Sequence, residues 1–304
     1  MNLRDRYRGA LLGLAAGDAV GTTVEFSPRG AFAPVTDMVG GGPCGLQPGQ
    51  WTDDTSMALC LASSLVERGE FDPRDQMDRY VRWQQEGYWS STGQCFDIGN
   101  TTATALRAYR QSHDPFSGSD NPRAAGNGSI MRLAPVPMFF YPDVQAAVAH
   151  AARSSSTTHA AVEAVDACRL FALLLCRAFA AQDQLTVLAP PEDTFFAHAP
   201  LAPKIAAIAT GDYRRKTVDQ IRGSGYVVES LEAALWCFAT TGSYPAAILA
   251  AVNLGDDADT TAAVCGQLAG AFYGVEAIPS GWRTKLARRA EIEQLADRLL
   301  AASN

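Results

Sequence analysis

Two segments of this chain, Thr52-Asp53-Asp54 and Asp257-Ala258-Asp259-Thr260, place hydroxyl and carboxylate oxygens at the start of an apolar run. Thr52 stands at an N-cap position, Asp53 and Asp54 fall in the first turn, and the apolar face opens at Met57. Gly255 permits a tight entry to the second run. Read singly, each start is an ordinary helix cap, because Thr, Asp and the helix dipole cooperate there. Their repetition raises a charge problem. If both starts converge and Glu25 joins them, Glu25, Asp53, Asp54, Asp257 and Asp259 share one pocket. Each carboxylate pair ~5 Å apart repels by roughly 3 kcal/mol at an effective dielectric near 20. Protons or cations must relieve this, and two divalent ions would nearly balance the five acids. Oxygen donors favour Mg²⁺ or Mn²⁺, with Ca²⁺ compatible. The lack of Cys or His in either segment disfavours zinc.

The elements that would hold these groups are helices. Tyr7, Leu11 and Leu14 share one helical face, as do Met57, Leu61 and Leu65. Further helices are predicted over 74–86, 101–111, 143–152, 160–182, 228–240, 244–252, 260–273 and 283–302, many rich in Ala and Leu. Alternating strand patterns are almost absent. The predicted fold class is all-α, a compact multi-helix fold with residues 1–304 as a single domain, since neither a linker nor a 20–50-residue repeat divides the chain. Loops dense in Gly, Pro, Ser and Asn cover 20–50, 87–100, 112–128, 153–159, 188–203 and 211–227. Long loops on a helical scaffold are where binding groups collect.

Composition narrows the function classes. A hydrophobic content of 47% is ample for a core, and a net charge of -7 without a Lys or Arg run gives no footprint for bulk nucleic-acid binding. A pocket for a small anion is still allowed. The cysteine count of 7 is odd and contains no C-x-x-C spacing, which points to reduced thiols and a cytoplasmic setting. Arg4, Arg6 and Arg8 before the apolar stretch 10–16 imitate a signal peptide, but Asp5 and Asp18 flank it too closely. No apolar run approaches the ~18 residues of a membrane span.

Other stretches have bland readings when taken alone. Asp97-Ile98-Gly99-Asn100 reads as a turn before a helix cap, and Gly126-Asn127-Gly128-Ser129 as a Gly-Asn turn. With small residues at a helix start, the latter could equally let backbone N–H groups approach an anion. His159 and Tyr226 singly suit structural roles.

Together, seven ordered blocks resemble the ADP-ribosylglycohydrolase family, in particular its bacterial dinitrogenase reductase-activating glycohydrolase-like branch. They are RGALLGLAAGDAVGTTVEF (8–26), GQWTDDTSMAL (49–59), DIGNTT (97–102), AGNGSIMR (125–132), TTH (157–159), SGYVVESLEAALW (224–236) and GDDADTTAAVCGQLAGAFYG (255–274). The resemblance implies an all-α fold with two Mg²⁺ or Mn²⁺ ions in a cleft. It implies Thr52, Asp53, Asp54, Asp257, Asp259 and Thr260 as metal ligands, and Glu25, Asp54 and Asp97 as catalytic residues. Asp97, Gly99 and Asn100 would meet the ribose, Gly126 to Ser129 and His159 the diphosphate, and Tyr226 the adenosine. Two departures stand out: Asp256 occupies a position where many relatives carry Gly, and the stretch 154–159 is unusually polar.

The implied reaction is hydrolysis at C1″ of ADP-ribose attached to a protein side chain, most directly arginine. Its transition state is oxocarbenium-like, and ions replace the usual carboxylate pair. The implied partners are an ADP-ribosylated protein and ADP-ribose, met by a monomer. The alternatives are hydrolysis of serine-linked ADP-ribose or of O-acetyl-ADP-ribose, and a module that binds ADP-ribose without cleaving it.

Overall fold

The computed structural model describes residues 1–192 and 194–303. Asp193, inside the predicted 188–203 loop, and Asn304, the last residue of the expected domain, lie outside the described residues. The helices are α1 (Leu3–Gly21), α2 (Asp53–Arg68), α3 (Pro73–Glu86), α4 (Asn100–Ser112), α5 (Pro135–Phe140), α6 (Val144–Ser156) and α7 (Val162–Ala178). They continue with α8 (Gln184–Val187), α9 (Pro203–Ala209), α10 (Val227–Thr240), α11 (Tyr244–Val252), α12 (Ala258–Tyr273), α13 (Ser280–Lys285) and α14 (Arg289–Ala302). Among the described residues, extended pairing is limited to isolated bridges, so the all-α expectation holds.

Local chemistry explains many boundaries. Asp72 accepts the N–H groups of Arg74 and Asp75 at 3.0 and 3.1 Å, with Pro73 opening α3. Asp143 caps α6 through Ala146 N–H at 2.9 Å. Gly69 and Gly87 end α2 and α3 in the left-handed conformation.

The centre of the fold is the antiparallel pair α1 and α12, in contact along their whole length. Gly9, Gly13, Gly17 and Gly21 recur every four residues on α1 and form one stripe. A methyl at Gly9 would lie 2.2 Å from Gly270 O, at Gly13 2.4 Å from Gly266 O, and at Gly17 2.2 Å from Ala262 O. No side chain fits between these backbones. Most other buried apolar residues of both helices enter one hydrophobic cluster that runs from Tyr7 to Leu299, while Leu14 and Ala263 pack with Ala58 in a small separate one. The stripe also fixes how far Asp18 on α1 stands from Asp259 in the first turn of α12.

Several expectations are corrected. The predicted helix 283–302 is two helices, with Arg288 at φ 50° between them and Ala287 N–H donated to Gly49 O at 3.0 Å. A loop far away in sequence draws the backbone out of the helix there. The predicted 160–182 helix ends at Ala178, and the 153–159 loop is helical as far as Ser156. The short helices α5, α8 and α9 depart from the expectation, because four to seven residues carry little periodicity; prolines open α5 and α9, and Asp183 caps α8.

Candidate active site

The floor of the site is built on a carboxylate from one helix that caps another. Asp18 Oδ1 accepts Thr52 N–H at 2.9 Å and the Thr52 hydroxyl at 3.0 Å. Its Oδ2 accepts Thr55 N–H at 3.0 Å and the Thr55 hydroxyl at 2.6 Å. Thr52 therefore occupies the N-cap position of α2 without making the side-chain cap bond expected of it. Its Oγ1 lies instead 3.1 Å from Asp54 Oδ2 and 3.3 Å from Asp259 Oδ2. The freed N-terminus of α2 is satisfied across the helix pair by Asp18.

Above this floor opens a cleft of about 370 Å³. Glu25, Asp53, Asp97, Asp257, Asp259 and Thr260 line one side, while Asp54 is fully buried beneath them. The two acidic starts and Glu25 do converge, with Asp97 and Asp18 in addition. Carboxylate oxygens of Asp18, Asp54 and Asp259 lie within 4.8 Å of one another, as do those of Glu25, Asp97 and Asp259. Asp259 belongs to both groups. Such triads of oxygens are a fit for metal ions, and no Lys or Arg lines the cleft among the described residues. Asp54 Oδ1 and Glu25 Oε2 are buried with no hydrogen-bond partner, an expensive state for an acid that nothing else satisfies.

Burial and mutual repulsion raise the affinity of these acids for protons. Burial, then the charge of Asp97, pushes Glu25 up to about 9. Burial likewise raises Asp53, Asp54, Asp259 and Asp97. Asp18 is pushed up to about 6 by burial, against its four hydrogen bonds, which favour the ionised form.

A second, glycine-rich part of the lining is Gly126, Asn127, Gly128 and His159, and Gly99 and Asn100 line the cleft as well. Asn127 ties the glycine-rich part to the acids: its side-chain amide donates to Asp257 Oδ2 at 2.9 Å and its backbone N–H to Gly225 O at 3.1 Å. Residues 126–132 form turns, not the expected helix start; α5 begins only at Pro135, whose ring suits a first helical turn. The hydroxyls of the polar stretch are used inward except that of Ser156, which bonds Ala152 O on its own helix at 3.0 Å. Ser154 and Thr157 meet Gln76 at 3.0 and 3.1 Å, and Ser155 lies 2.8 Å from both Ser129 Oγ and His159 O.

Four candidate residues do not line the acidic cleft: Thr52 and Asp54 lie buried beneath it, and Ser129 and Tyr226 lie to its side. Ser129 is buried behind it, with Oγ on Ser155 and 3.4 Å from Cys168 Sγ. Tyr226 lines a shallow neighbouring cleft with Thr101, Arg123 and Gly126, and its hydroxyl accepts from Lys204 at 2.7 Å and donates to Glu163. Asp256 is also aside: it is exposed, at φ 55°, and exchanges backbone hydrogen bonds with Phe26 and Ser27 at 2.7 and 2.9 Å. Asp tolerates that conformation better than most side chains, and Asp256 adds no charge to the cleft lining. Asp18 was missed as a site residue. Its signal was an acid inside an apolar helix, following the third glycine of a four-residue spacing.

The ADP-ribosylglycohydrolase family model matches residues 1–304. Among curated proteins, the chain is 48% identical to ADP-ribosylarginine hydrolase Tri1 of Pseudomonas putida (strain GB-1), covering 97% of this chain and 78% of that one. It is 32% identical to the ADP-ribosyl-[dinitrogen reductase] glycohydrolase of Rhodospirillum rubrum, covering 99% and 97%. A solved structure described as an ADP-ribosylglycohydrolase-related protein complex superposes with a TM-score of 0.86 at 43% identity, covering 100% of this chain and 99% of that one.

Proposed function

The chain belongs to the ADP-ribosylglycohydrolase family, and we propose that its acidic cleft hydrolyses the bond between ADP-ribose and a modified protein arginine. The observation that carries this reading is Asp259, shared by two carboxylate triads on the floor of a cleft whose lining has a glycine-rich part. Two relatives named as ADP-ribosylarginine hydrolases, at 48% and 45% identity, favour arginine as the attachment.

Two Mg²⁺ or Mn²⁺ ions fit the residues. The donors are all hard oxygens, the triads adjoin at Asp259, and Asp54 Oδ1 and Glu25 Oε2 have no other partner. Thr52, Asp53, Asp54, Asp257, Asp259 and Thr260 would hold the ions. Asp18, whose oxygens already accept four hydrogen bonds, would orient Thr52 and α2. When bound, such ions supply Lewis acidity and activation of water near neutral pH.

The chain's own groups divide the remaining work. Asp97, Gly99 and Asn100 at the cleft edge accept and orient the ribose. Glu25 and Asp97, carboxylates that meet at the cleft beside Asp259, are placed to exchange a proton with the leaving guanidine. His159 and the Gly128 backbone receive the diphosphate, the N–H groups of Gly126 and Asn127 being donated to Ala124 O and Gly225 O, while Tyr226 in the adjoining cleft offers its ring to the adenosine. The single main core supports residues 1–304 acting as one domain, and the chain is read as a monomer. No helix among the described residues is long and apolar enough to cross a membrane.

Release of ADP-ribose from arginine-linked and serine-linked peptides tests the reading. Faster release from the arginine-linked peptide is expected. Cleavage confined to the serine-linked peptide would overturn the arginine assignment but leave a hydrolase; tight binding of ADP-ribose without release from either would leave a binding module.

A further inference from the structure

Arg132 is a fully buried cation on the turn behind the Gly126–Gly128 wall. Among the described residues it has no carboxylate partner: one terminal nitrogen donates to Gly128 O, and the other to Thr158 Oγ1 at 2.7 Å. Its Nε is buried without a partner, and the Tyr80 ring lies 4.7 Å from the guanidinium carbon. A guanidinium only donates, so Thr158 Oγ1 must accept from it. The Thr158 hydroxyl hydrogen then has one acceptor in reach, His159 Nδ1 at 2.8 Å. That bond sets the tautomer, because a neutral imidazole with an accepting Nδ1 carries its proton on Nε2.

The Nε2 edge faces the cleft. A methyl on Gly126 would lie 3.5 Å from Nε2, and one on Gly128 3.0 Å away, so two glycines leave this edge uncovered. The backbone is held from both sides, with His159 N–H on Ser155 O at 2.7 Å and Ala160 N–H on Ser119 O at 3.0 Å. Burial, reinforced by the Arg132 charge, pushes the ring down to about 3, so it stays neutral at physiological pH.

We propose that Arg132 and Thr158 are positioning residues that lock His159 in its Nε2–H form as a neutral donor to a diphosphate oxygen of ADP-ribose. The unpaired charge of Arg132 adds a positive field behind the same wall, where the ligand's anion is the counter-charge that the protein omits. The proposal rests on the reading that this cleft binds ADP-ribose.

The test uses the full chain with ¹⁵N-labelled histidine, the His159 signal being identified by its loss in H159Q, together with calorimetry of ADP-ribose binding in Mg²⁺. In the wild type the proton is expected on Nε2. T158V, which keeps the shape and removes the hydroxyl, should admit the Nδ1–H tautomer and weaken ADP-ribose binding about tenfold, the worth of one hydrogen bond. T158S restores the hydroxyl and should return both readings towards wild type, an outcome that simple loss of packing does not give. A wild-type ring protonated on Nδ1 overturns the proposal, as does a T158V protein that binds ADP-ribose as tightly as wild type. If T158V does not fold, the wild-type tautomer and the T158S affinity still decide it. Failure of the wild type to bind ADP-ribose at all, with the Nε2–H tautomer present, would instead strike the reading of the cleft and remove the ligand from this role.

Discussion

Asp18 on α1 accepts the backbone N–H of Thr55 on α2 at 3.0 Å, so the acidic start of α2 is capped by a neighbouring helix. Asp18→Asn would turn an amide donor towards donors that need an acceptor. Losing one member of a repelling acid cluster offsets part of that loss. Two buried, charge-assisted bonds outweigh the relief, and a net destabilisation of about 2 kcal/mol is expected. Urea unfolding reads it; an unchanged or higher midpoint would contradict the cap.

Asp259→Asn should abolish turnover and divalent-ion binding, because both carboxylate triads lose a member. Asp257→Asn should also weaken binding and stop turnover. Far-ultraviolet circular dichroism should show the helices retained in both. Wild-type activity in either variant would sink the metal-ligand assignment.

Metal-free protein should lose stability as pH rises. Glu25, pushed up to about 9 from an ordinary 4.5, keeps a proton in the folded chain that the unfolded chain releases between those values. Asp18, pushed up to about 6, adds the same sign over a narrower window. The folded state binds more protons, so unfolding free energy falls with pH across about 4.5 to 9. Melting temperatures in EDTA at about pH 5.5 and about pH 8 check this; a higher melting temperature at the upper pH would reverse the sign.

Chelation should stop ADP-ribose release, and Mg²⁺ or Mn²⁺ should restore it. Added ion should also raise the melting temperature, because a ligand that binds only the folded chain stabilises it. Release at the original rate from protein shown to be metal-free would end the metal-dependent reading.

Gly17→Ala should cost about 3 kcal/mol, since its methyl would lie 2.2 Å from Ala262 O and backbone must give way. Gly281→Ala, with nothing within 4 Å, is the control and should be near neutral. Equal midpoints for the two variants in denaturant would show that the α1–α12 contact is looser than described.

Periodicity made the large helices legible: α11 has the predicted bounds, and the two acid starts converge as their repetition suggested. Features set by distant partners were not legible. The break near Arg288 depends on Gly49, and Asp18 acts on residues 34 and 37 positions away. Ser129 shows the limit of a motif: Gly126, Asn127 and Gly128 line the cleft, while the serine turns its hydroxyl into the core. Arg132 and Thr158 lie in the segments 125–132 and 157–159, but the link of Arg132 through Thr158 to His159 exists only in three dimensions.

The glycine seam between α1 and α12 also constrains how this cleft can diversify. Most helix pairs adjust their separation by trading one side chain for another of slightly different volume. Here both surfaces are bare backbone, and the smallest available increment is a whole methyl group. The spacing between the two acid-bearing helices therefore behaves as a fixed gauge. Variation in ligand preference must be written into the surrounding loops, which can lengthen, shorten or change residues without moving the gauge.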